Sequence, residues 1–462
     1  MMINVYFDRG TILATGIEKS QEPLFPYFKW DNRIQKYRAQ AYFYRDFIMS
    51  LRSHKLTYTD SAKNFSPCNL ILKEKIEPRS HQTAALDAWL SKGSKGVVVL
   101  PTGSGKTILA ILAIAQTGRP TLIHVPTIDL MHQWYQQLSK YFSIPIGLLG
   151  GGEKDIQTIT VSTYDSAVLS VPYRGNQFGL LIFDECHHLP SEQMQYSAIS
   201  SIAPFRLGLT ATPESNEVRE KLLYEICGNF CFQSHIHQLA GGTLSSYEII
   251  TKQVELSEQE QHDYQTARQI YTTFLKDNHI EFRHDNKAFA WNNFIRLTHR
   301  TLAGKEAFKA YLVQKKIAQS SKNKTQAVWD IFCNHPKERI LIFTQDNETA
   351  YNLGRQFFLP VLTHHTKVKE REHFLTAFRT GEYRILITSK VLNEGVDVPE
   401  ASVAIVFSGS GTVREHVQRL GRILRAKEGK KAVLYEIISA NTGEYFINQR
   451  RRDHDAYKKF TP

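Results

Sequence analysis

The 462-residue chain carries 57 lysine and arginine residues against 45 aspartate and glutamate residues, a formal net charge of +12. Hydrophobic residues make up 42% and charged residues 22%, which excludes a disordered chain and is typical of a soluble globular protein. The cationic surplus favours a polyanionic partner, and nucleic acid fits it better than a membrane because no basic amphipathic helix stands out. A solubilising surface is the alternative explanation.

The sequence gives no sign of secretion, membrane insertion or a disulfide framework. The first residues carry early charge, and no apolar run approaches the ~20 residues of a spanning helix. Five cysteines, an odd number, suit a reducing compartment, so the expectation is a cytoplasmic protein. Four residues of metal-ligand type are spaced too closely for a zinc finger and are interpreted as buried thiols with neighbouring histidines: Cys227, Cys231, His235 and His237.

Residues 1–75 are rich in aromatic and basic residues. The pattern predicts a hairpin over residues 2–15 and a helix over 38–52, which together indicate a small α+β module. Rings interleaved with arginine and lysine are the combination that stacks bases and follows phosphates. An aromatic core with a charged rim is the preferred interpretation for most of these rings.

Over residues 76–235, strand-like runs alternate with helical segments, the pattern of a parallel sheet. The predicted strands are 97–100, 121–125, 158–162, 180–183 and 207–210. Ligands of such sheets gather at the carboxyl ends of the strands, and each candidate motif of this segment follows a strand. We therefore expect these motifs to meet at one edge of the sheet.

The first such motif is a glycine-rich turn between an apolar strand and an apolar helix. The residues expected to bind a nucleotide phosphate are Gly103, Ser104, Gly105, Lys106 and Thr107. The glycines let backbone N–H groups face the phosphate, Lys106 reaches the outer phosphates, and Thr107 places a hydroxyl on Mg²⁺. Leu100 stands where the strict pattern has its first glycine. A plain strand-to-helix turn is the alternative.

An acidic pair follows the strand at 180–183. Asp184 is expected to hold the Mg²⁺ that bridges the outer phosphates, and Glu185 to orient and deprotonate the attacking water. Such a pair is also a frequent helix cap, but the phosphate loop about eighty residues earlier favours catalysis. The adjacent His187 and His188 are interpreted as hydrogen-bond couplers rather than metal ligands.

Residues 236–325 break the alternation. Ser257 and Glu260 form a capping box before a long amphipathic helix, and a basic run covers 305–316. These features predict an inserted helical element that packs and contacts a nucleic-acid backbone. Alternation returns over 326–462 and predicts a second parallel sheet without a phosphate loop of its own, with strands at 339–343, 384–388, 403–407 and 432–437.

The second sheet domain contains an arginine-rich motif at 418–425. Arg422 and Arg425 are three residues apart, so a helix points both guanidinium groups to one side. Arginines brought to a transferring phosphoryl group by a neighbouring lobe raise its rate by about 10³- to 10⁵-fold. A solvated basic helix is the alternative.

In their order along the chain, these motifs resemble those of superfamily-two helicases, and most closely the XPB-type DNA repair helicases of prokaryotes. The segments that carry the resemblance are Gln82, 100–107, 125–134, 161–166, 184–188, 209–212, 389–397 and 418–425. The resemblance implies an α/β fold with two RecA-like parallel-sheet lobes. It also implies a damage-recognition-like module and a thumb-like insert, so that the domains are 1–75, 76–235, 236–325 and 326–462.

The resemblance further implies ATP-driven 3′-to-5′ movement on single-stranded or forked DNA, with ATP and Mg²⁺ as cofactors. Beyond the phosphate loop, the implied nucleotide contacts are Gln82 at the adenine, Gly395, Asp397 and Gln418 in the cleft, and Arg422 and Arg425 at the γ-phosphate. Thr210 and Thr212 would couple hydrolysis to lobe motion. Pro126, Thr127 and Thr163 would touch the DNA backbone. A nuclease partner is known in the family and is an expectation here.

One departure from the family pattern leaves more than one activity compatible with the sequence. Where relatives carry an Arg-Glu-Asp tripeptide associated with strand separation, this chain has Ser215-Asn216-Glu217. Translocation without strong unwinding is therefore one alternative. An RNA helicase is another alternative, because contacts with the phosphate backbone do not distinguish ribose from deoxyribose well. A non-catalytic, ATP-gated DNA clamp is the third, and the presence of Glu185 and Arg425 disfavours it.

Overall fold

The computed structural model describes residues 2–214, 216–239, 246–282, 287–389, 401–408 and 431–445. These residues form two compact units, the first ending at residue 239 and the second containing the described residues from 246 onward. Each unit is built around a parallel sheet. The predicted α/β fold class is therefore confirmed.

The first unit opens with a small module whose elements are β1 (Ile3–Asp8), β2 (Thr11–Thr15), β3 (Lys29–Asp31), β4 (Lys36–Gln40), α1 (Tyr44–Ser53) and β5 (Tyr58–Asp60). Its sheet has the order β3-β4-β2-β1-β5, and β1 and β2 form the predicted hairpin. The helix predicted from residue 38 begins only at Tyr44. The residues before it pair with β2 and bury Ala39, so strand pairing replaces the first helical turns.

The rings of this module lie mainly in its core, as the preferred interpretation had it. Tyr44 and Phe47 are buried, and the Tyr44 hydroxyl donates a hydrogen bond to Asp60 Oδ2 at 2.6 Å. Trp30 differs, because 47% of its surface is exposed. Only a minority of the rings therefore remains open to a ligand.

The first unit continues as an eight-stranded sheet of order β13-β6-β12-β11-β7-β10-β8-β9. The strands are β6 (Lys95–Val99), β7 (Thr121–Val125), β8 (Ile146–Gly150), β9 (Glu153–Lys154), β10 (Ile159–Thr163), β11 (Leu180–Asp184), β12 (Phe205–Thr210) and β13 (Phe230–Gln233). The helices are α2 (Ser80–Ser91), α3 (Lys106–Thr117), α4 (Ile128–Tyr141), α5 (Tyr164–Arg174), α6 (Tyr196–Ile199), α7 (Glu217–Cys227) and α8 (Ile236–Leu239).

The arrangement of this sheet positions the candidate site. Every neighbouring pair is parallel except β8 with β9, and all five predicted strands are present. The interior strands are buried on both faces, with separate apolar layers above and below. Because β6, β7, β10, β11 and β12 run in one direction, their carboxyl ends lie along one edge.

The second unit contains β14 (Ser246–Val254), α9 (Glu258–Asp277), α10 (Lys287–Arg300), α11 (Leu302–Gln319), α12 (Lys322–Asn334), β15 (Ile340–Phe343), α13 (Asn347–Phe357), β16 (Val361–Leu362), α14 (Val368–Thr380), β17 (Ile385–Thr388), β18 (Val403–Val406) and β19 (Lys431–Ser439). Its described strands form a parallel sheet of order β14-β19-β18-β15-β17-β16. Helices α9, α10 and α11 share a core that includes Phe274 and Phe294.

The segment 236–325 is helical over most of its length but not throughout, which corrects the sequence prediction. Its residues 246–254 form β14, which pairs with β19 over nine residues. A partner strand so distant along the chain leaves no local signal. The predicted capping box is present, because Ser257 Oγ accepts from the Glu260 N–H and Glu260 accepts from the Ser257 N–H.

Candidate active site

The glycine-rich turn lies at the carboxyl end of β6 and leads into α3. Gly103 and Gly105 have φ values of 85° and 90°, a region that favours glycine. A Cβ atom on Gly105 would lie 2.3 Å from Gln82 Nε2, so a side chain there would displace the Gln82 amide. Ser104 is buried, and its hydroxyl donates to the Pro101 carbonyl at 2.7 Å. The two glycines and the Ser104 hydrogen bond therefore help to fix the shape of the turn.

Leu100 explains the departure from the strict phosphate-loop pattern. Its N–H donates to the Thr210 carbonyl at 2.9 Å, and its side chain is fully buried. The residue thus extends the contact between the ends of β6 and β12 and fills the core. The turn begins one residue later, at Pro101, so a glycine at position 100 is not required.

Gln82 on α2 supports the loop from outside. Its Nε2 donates to the carbonyls of Ser104 and Gly105 at 3.1 and 3.2 Å, and its Oε1 accepts from the Arg79 N–H. The neighbouring His81 Nε2 lies 2.9 Å from the Ser104 carbonyl oxygen. Gln82 is only 3% exposed. These contacts place its side-chain amide against the phosphate loop; its predicted contact with adenine stays a prediction.

Asp184 ends the buried strand β11, and its carboxylate is held by two donors. Trp134 Nε1 donates to Oδ2 at 2.8 Å, and the Glu185 N–H donates to Oδ1 at 3.1 Å. Burial, together with the negative charge of Glu185, raises the pKa of Asp184 to about 6. Motif spacing gives no indication of this role of Trp134, although the residue lies within the segment 125–134 that carries the family resemblance.

Glu185 connects the acidic motif to the phosphate loop. Its Oε1 lies 3.4 Å from Lys106 Nζ, and both side chains are nearly buried. Its φ of 49° is in the left-handed region, which is strained for a residue with a Cβ. A strained backbone at a carboxylate beside the predicted phosphate-binding lysine is typical of a functional site.

A chain of contacts runs from Glu185 to the Thr210-Ala-Thr212 motif. His187 Nδ1 lies 3.4 Å from Glu185 Oε2 and 3.3 Å from Thr210 Oγ1. The Thr210 hydroxyl donates to the Thr212 carbonyl at 3.0 Å. His187 therefore contacts both motifs, and its role as a hydrogen-bond coupler between them stays a prediction.

Arg219 on α7 is a second residue that the sequence analysis missed. Its Nη2 donates to the His187 carbonyl at 2.9 Å, and its Nε lies 3.6 Å from Glu214 Oε2. The helix that carries it begins at Glu217 and is capped by Asn216, whose side chain accepts from the Arg219 N–H. Arg219, oriented by Glu214 and Asn216, therefore holds the backbone that directly follows the acidic pair.

The predicted DNA contacts lie at the same carboxyl edge, directly after β7 and at the last residue of β10. Thr127 Oγ1 caps α4 by accepting from the Leu130 N–H, and Thr163 Oγ1 caps α5 by accepting from the Ser166 N–H. Pro126 directly precedes the first of these caps. Two helix N-termini therefore begin at this edge and bring partial positive charge to it. Contact of these three residues with DNA stays a prediction.

Several predicted site residues lie outside the described residues: Gly395, Asp397, Gln418, Arg422 and Arg425. Within the described ranges, no group of three or more His, Cys, Asp or Glu side chains is arranged to hold a metal ion. Burial raises the pKa of Cys227 to about 12, in keeping with an inert thiol. Each helix described is too short or too polar to cross a bilayer.

A phosphate loop and an acidic pair on one parallel sheet, followed by a second parallel-sheet unit, define the class of helicase-like motor ATPases. Three family models match the chain: "Type III restriction enzyme, res subunit" over 75–215, "Helicase conserved C-terminal domain" over 323–427, and "Xeroderma pigmentosum group B helicase damage recognition domain" over 5–62. The helicase domain of Hef from Pyrococcus furiosus shares the fold, with a TM-score of 0.52 at 17% identity over 82% of this chain and all of that one.

Individual relatives narrow the class further. The chain is 37% identical over 452 residues to a protein of Sulfurisphaera tokodaii named DNA 3′-5′ translocase XPB2, a match covering 98% of this chain and 100% of that protein. It is 31% identical to the DNA 3′-5′ helicase XPB of Mycobacterium tuberculosis, over 81% of this chain and 63% of that protein. The chain belongs to the XPB family of helicases, which confirms the resemblance noted in the sequence.

Proposed function

We propose that the protein is an ATP-driven motor that moves 3′ to 5′ along DNA, separates its strands and acts in DNA repair. The observation that carries the proposal is the contact chain from Lys106 through Glu185 and His187 to Thr210. It joins a phosphate-binding loop, a carboxylate suited to deprotonating water, and the motif proposed to couple ATP hydrolysis to lobe motion. The names of the two relatives support the polarity and the substrate.

ATP hydrolysis requires few groups from the protein beyond placement and charge. Backbone N–H groups of the loop and Lys106 would hold the outer phosphates. Glu185 would orient the attacking water and accept its proton. Because Glu185 contacts Lys106, a γ-phosphate entering the loop would compete for the lysine and release the carboxylate toward the water.

Mg²⁺ fits the residues at this site. Thr107 and Asp184 offer oxygen ligands, which this hard cation prefers, and the two donors on Asp184 fix the carboxylate. When bound, the ion would neutralise charge on the phosphates. Gln82 would contact the adenine, as the family resemblance implies, and its amide supports the loop from outside.

The remaining nucleotide contacts rest on sequence motifs alone. Arg422 and Arg425 would stabilise the charge on the transferring phosphoryl group, and Gly395, Asp397 and Gln418 would line the nucleotide site. The coupling role assigned to Thr210 and Thr212 is supported by their hydrogen bond to each other and by the link of Thr210 to His187.

DNA contact is supported by a groove in the N-terminal module. The groove has a volume of about 810 Å³, and its lining includes Trp30, Lys29, and Arg33 and Arg38, both of which are ion-paired with Asp31. An exposed indole beside cationic groups suits stacking on a base and contact with its phosphate. The backbone contacts proposed for Pro126, Thr127 and Thr163 would add affinity without reading sequence. A nuclease that processes the opened strand remains the proposed partner.

A duplex translocase is the second candidate. The segment that replaces the Arg-Glu-Asp tripeptide includes Asn216, whose side chain is used as the cap of α7. A cap is a structural role and supplies no wedge between strands. The word translocase in the name of the Sulfurisphaera relative points the same way.

One set of assays tests the proposal and separates the candidates. ATP hydrolysis is measured with single-stranded DNA, duplex DNA and RNA, and unwinding with 3′-tailed and 5′-tailed duplexes. We expect stimulation by DNA and unwinding from the 3′ tail. Displacement of a triplex-forming strand without unwinding would identify the duplex translocase. Stimulation by RNA alone would refute a DNA motor, and nucleotide binding without hydrolysis would identify the clamp.

A further inference from the structure

A second cationic cavity lies at the opposite edge of the first parallel sheet. It measures about 380 Å³ and is lined by Arg45, Asp46, Lys92, Lys95, Tyr224, Gly228 and Asn229. Lys95 begins β6, whereas the phosphate loop follows the end of that strand. Five residues of strand separate the two positions by about 16 Å. The cavity is therefore distinct from the ATP site.

The lysines that line this cavity retain donors for a ligand. Among the described residues, the Lys95 ammonium has no hydrogen-bond or ion-pair partner, and Lys92 Nζ has one acceptor, the Phe230 carbonyl. A lysine carries three N–H donors, so two on Lys92 and three on Lys95 are uncommitted. Burial lowers the pKa of Lys95, the positive charge of Arg206 lowers it further, and the carboxylate of Asp46 opposes the shift. A bound anion would act in the same direction as Asp46 and favour the charged ammonium.

The net charge of the cavity suits a phosphate group. Three cationic side chains face one carboxylate, that of Asp46, which leaves an excess of two positive charges. Lysine binds phosphate as a point charge, and both a DNA phosphodiester and inorganic phosphate are anions at pH 7. The lining is predominantly polar, which disfavours an apolar ligand.

The cavity also spans two parts of the first unit. Arg45 and Asp46 come from α1 of the N-terminal module, whereas Lys92 and Lys95 flank the start of β6 in the large sheet. Arg45 already joins the two parts, because its Nη1 donates to the carbonyls of Gly93 and Pro204 at 2.9 Å. A ligand held by Arg45 and the lysines would strengthen that junction.

From this arrangement we infer that the cavity between α1 and the start of β6 is a phosphate-binding site, separate from the ATP site, that fastens the N-terminal module to the large sheet. The phosphate group comes either from the backbone of bound DNA or from free phosphate. Both sources share the same chemistry, and the arms of the test distinguish them.

The first arm titrates inorganic phosphate into the full-length Lys106→Ala protein, in which the phosphate loop is weakened, at constant ionic strength. Binding is read from calorimetry and from the rise in melting temperature that a ligand of the folded state produces. We expect Lys92→Met and Lys95→Met each to weaken phosphate binding about tenfold or more, the effect of losing a charge-assisted hydrogen bond. The control Lys221→Met, on α7 but outside the cavity lining, should change nothing.

Asp46→Asn guards against a purely structural effect of the lysine substitutions. It removes the one carboxylate that the described residues contribute to the cavity lining, so phosphate binding should become stronger rather than weaker. Unchanged phosphate affinity in both lysine variants, or no gain in Asp46→Asn, would overturn the inference.

The second arm measures the affinity for a single-stranded oligonucleotide over a range of salt concentrations. If a DNA phosphodiester occupies the cavity, Lys92→Met and Lys95→Met should each reduce the magnitude of the salt slope by about one. If free phosphate occupies it, the slope should stay unchanged while phosphate affinity falls. Weakened phosphate binding supports the site with either slope, and the slope identifies the source of the phosphate; retained phosphate affinity in both lysine variants overturns the site whatever the slope.

Discussion

Replacement of Trp134 by phenylalanine tests whether Asp184 is a magnesium ligand whose carboxylate is oriented by the Trp134 indole. The substitution keeps an aromatic ring in a site that is 2% exposed and removes the N–H that donates to Asp184 Oδ2 at 2.8 Å. A hydrogen bond to a charged group contributes about 1.5–3 kcal/mol. At 1.4 kcal/mol per factor of ten, its loss should weaken Mg²⁺ binding about 10- to 100-fold, the range found for partners of metal ligands.

The assay is DNA-stimulated ATP hydrolysis as a function of free Mg²⁺ at saturating ATP and DNA. Trp89→Phe is the matched control, because Trp89 is equally buried in the same unit and donates to the Arg206 carbonyl at 2.8 Å, away from the acidic motif. Both variants lose ring volume and one indole hydrogen bond. If the Mg²⁺ concentration for half-maximal activity is the same in both variants, Trp134 does not act through a metal ligand.

Four further outcomes are expected. Glu185→Gln should lower ATP turnover about 10²- to 10⁴-fold with little loss of ATP binding, and near-normal steady-state turnover would contradict its role as base. Arg425→Ala should lower kcat about 10³-fold at unchanged ATP affinity, whereas an equal loss of binding would indicate a positional role. Trp30→Ala should weaken single-stranded DNA binding by about 1–3 kcal/mol in fluorescence anisotropy, and undiminished affinity would remove the groove from the DNA path. Burial lowers the pKa of His124 in the folded protein to about 3, whereas the unfolded chain has the ordinary value of 6.5. The contribution of His124 to the free energy of unfolding is therefore complete above pH 6.5, and it falls by about 1.4 kcal/mol per pH unit as the pH is lowered from 6.5 to about 3. His124→Phe should flatten that acid dependence in denaturant titrations, and an unaltered slope would exclude His124 as its source.

The parallel sheets were predictable because each buried strand is a short apolar run whose residues lie close together in sequence. The large sheet around β6 and β11 follows directly from such runs. By contrast, β14 escaped prediction because its partner strand β19 is far away in the chain. The start of α1 was misplaced for a similar reason, since pairing of β4 with β2 overrides the helical pattern.

The site divides in the same way between local and distant contacts. The phosphate loop and the acidic pair are recognisable because their chemistry needs neighbouring residues in fixed order. Trp134 and Arg219 act on those motifs across 50 and 32 residues of chain, so spacing gives no hint of them. Leu100 replaces the first glycine of the strict phosphate-loop pattern, and the structure explains this departure. Its N–H donates a backbone hydrogen bond to Thr210 on another strand.

The bond from the Leu100 amide to the Thr210 carbonyl provides a natural probe of the motor cycle. Deuterium can replace that amide hydrogen only when the phosphate loop and the Thr210 motif separate locally. The exchange rate of the Leu100 amide therefore reports whether nucleotide and DNA strengthen or weaken the contact between the phosphate loop and the Thr210 motif. The measurement requires no probe attached to the protein.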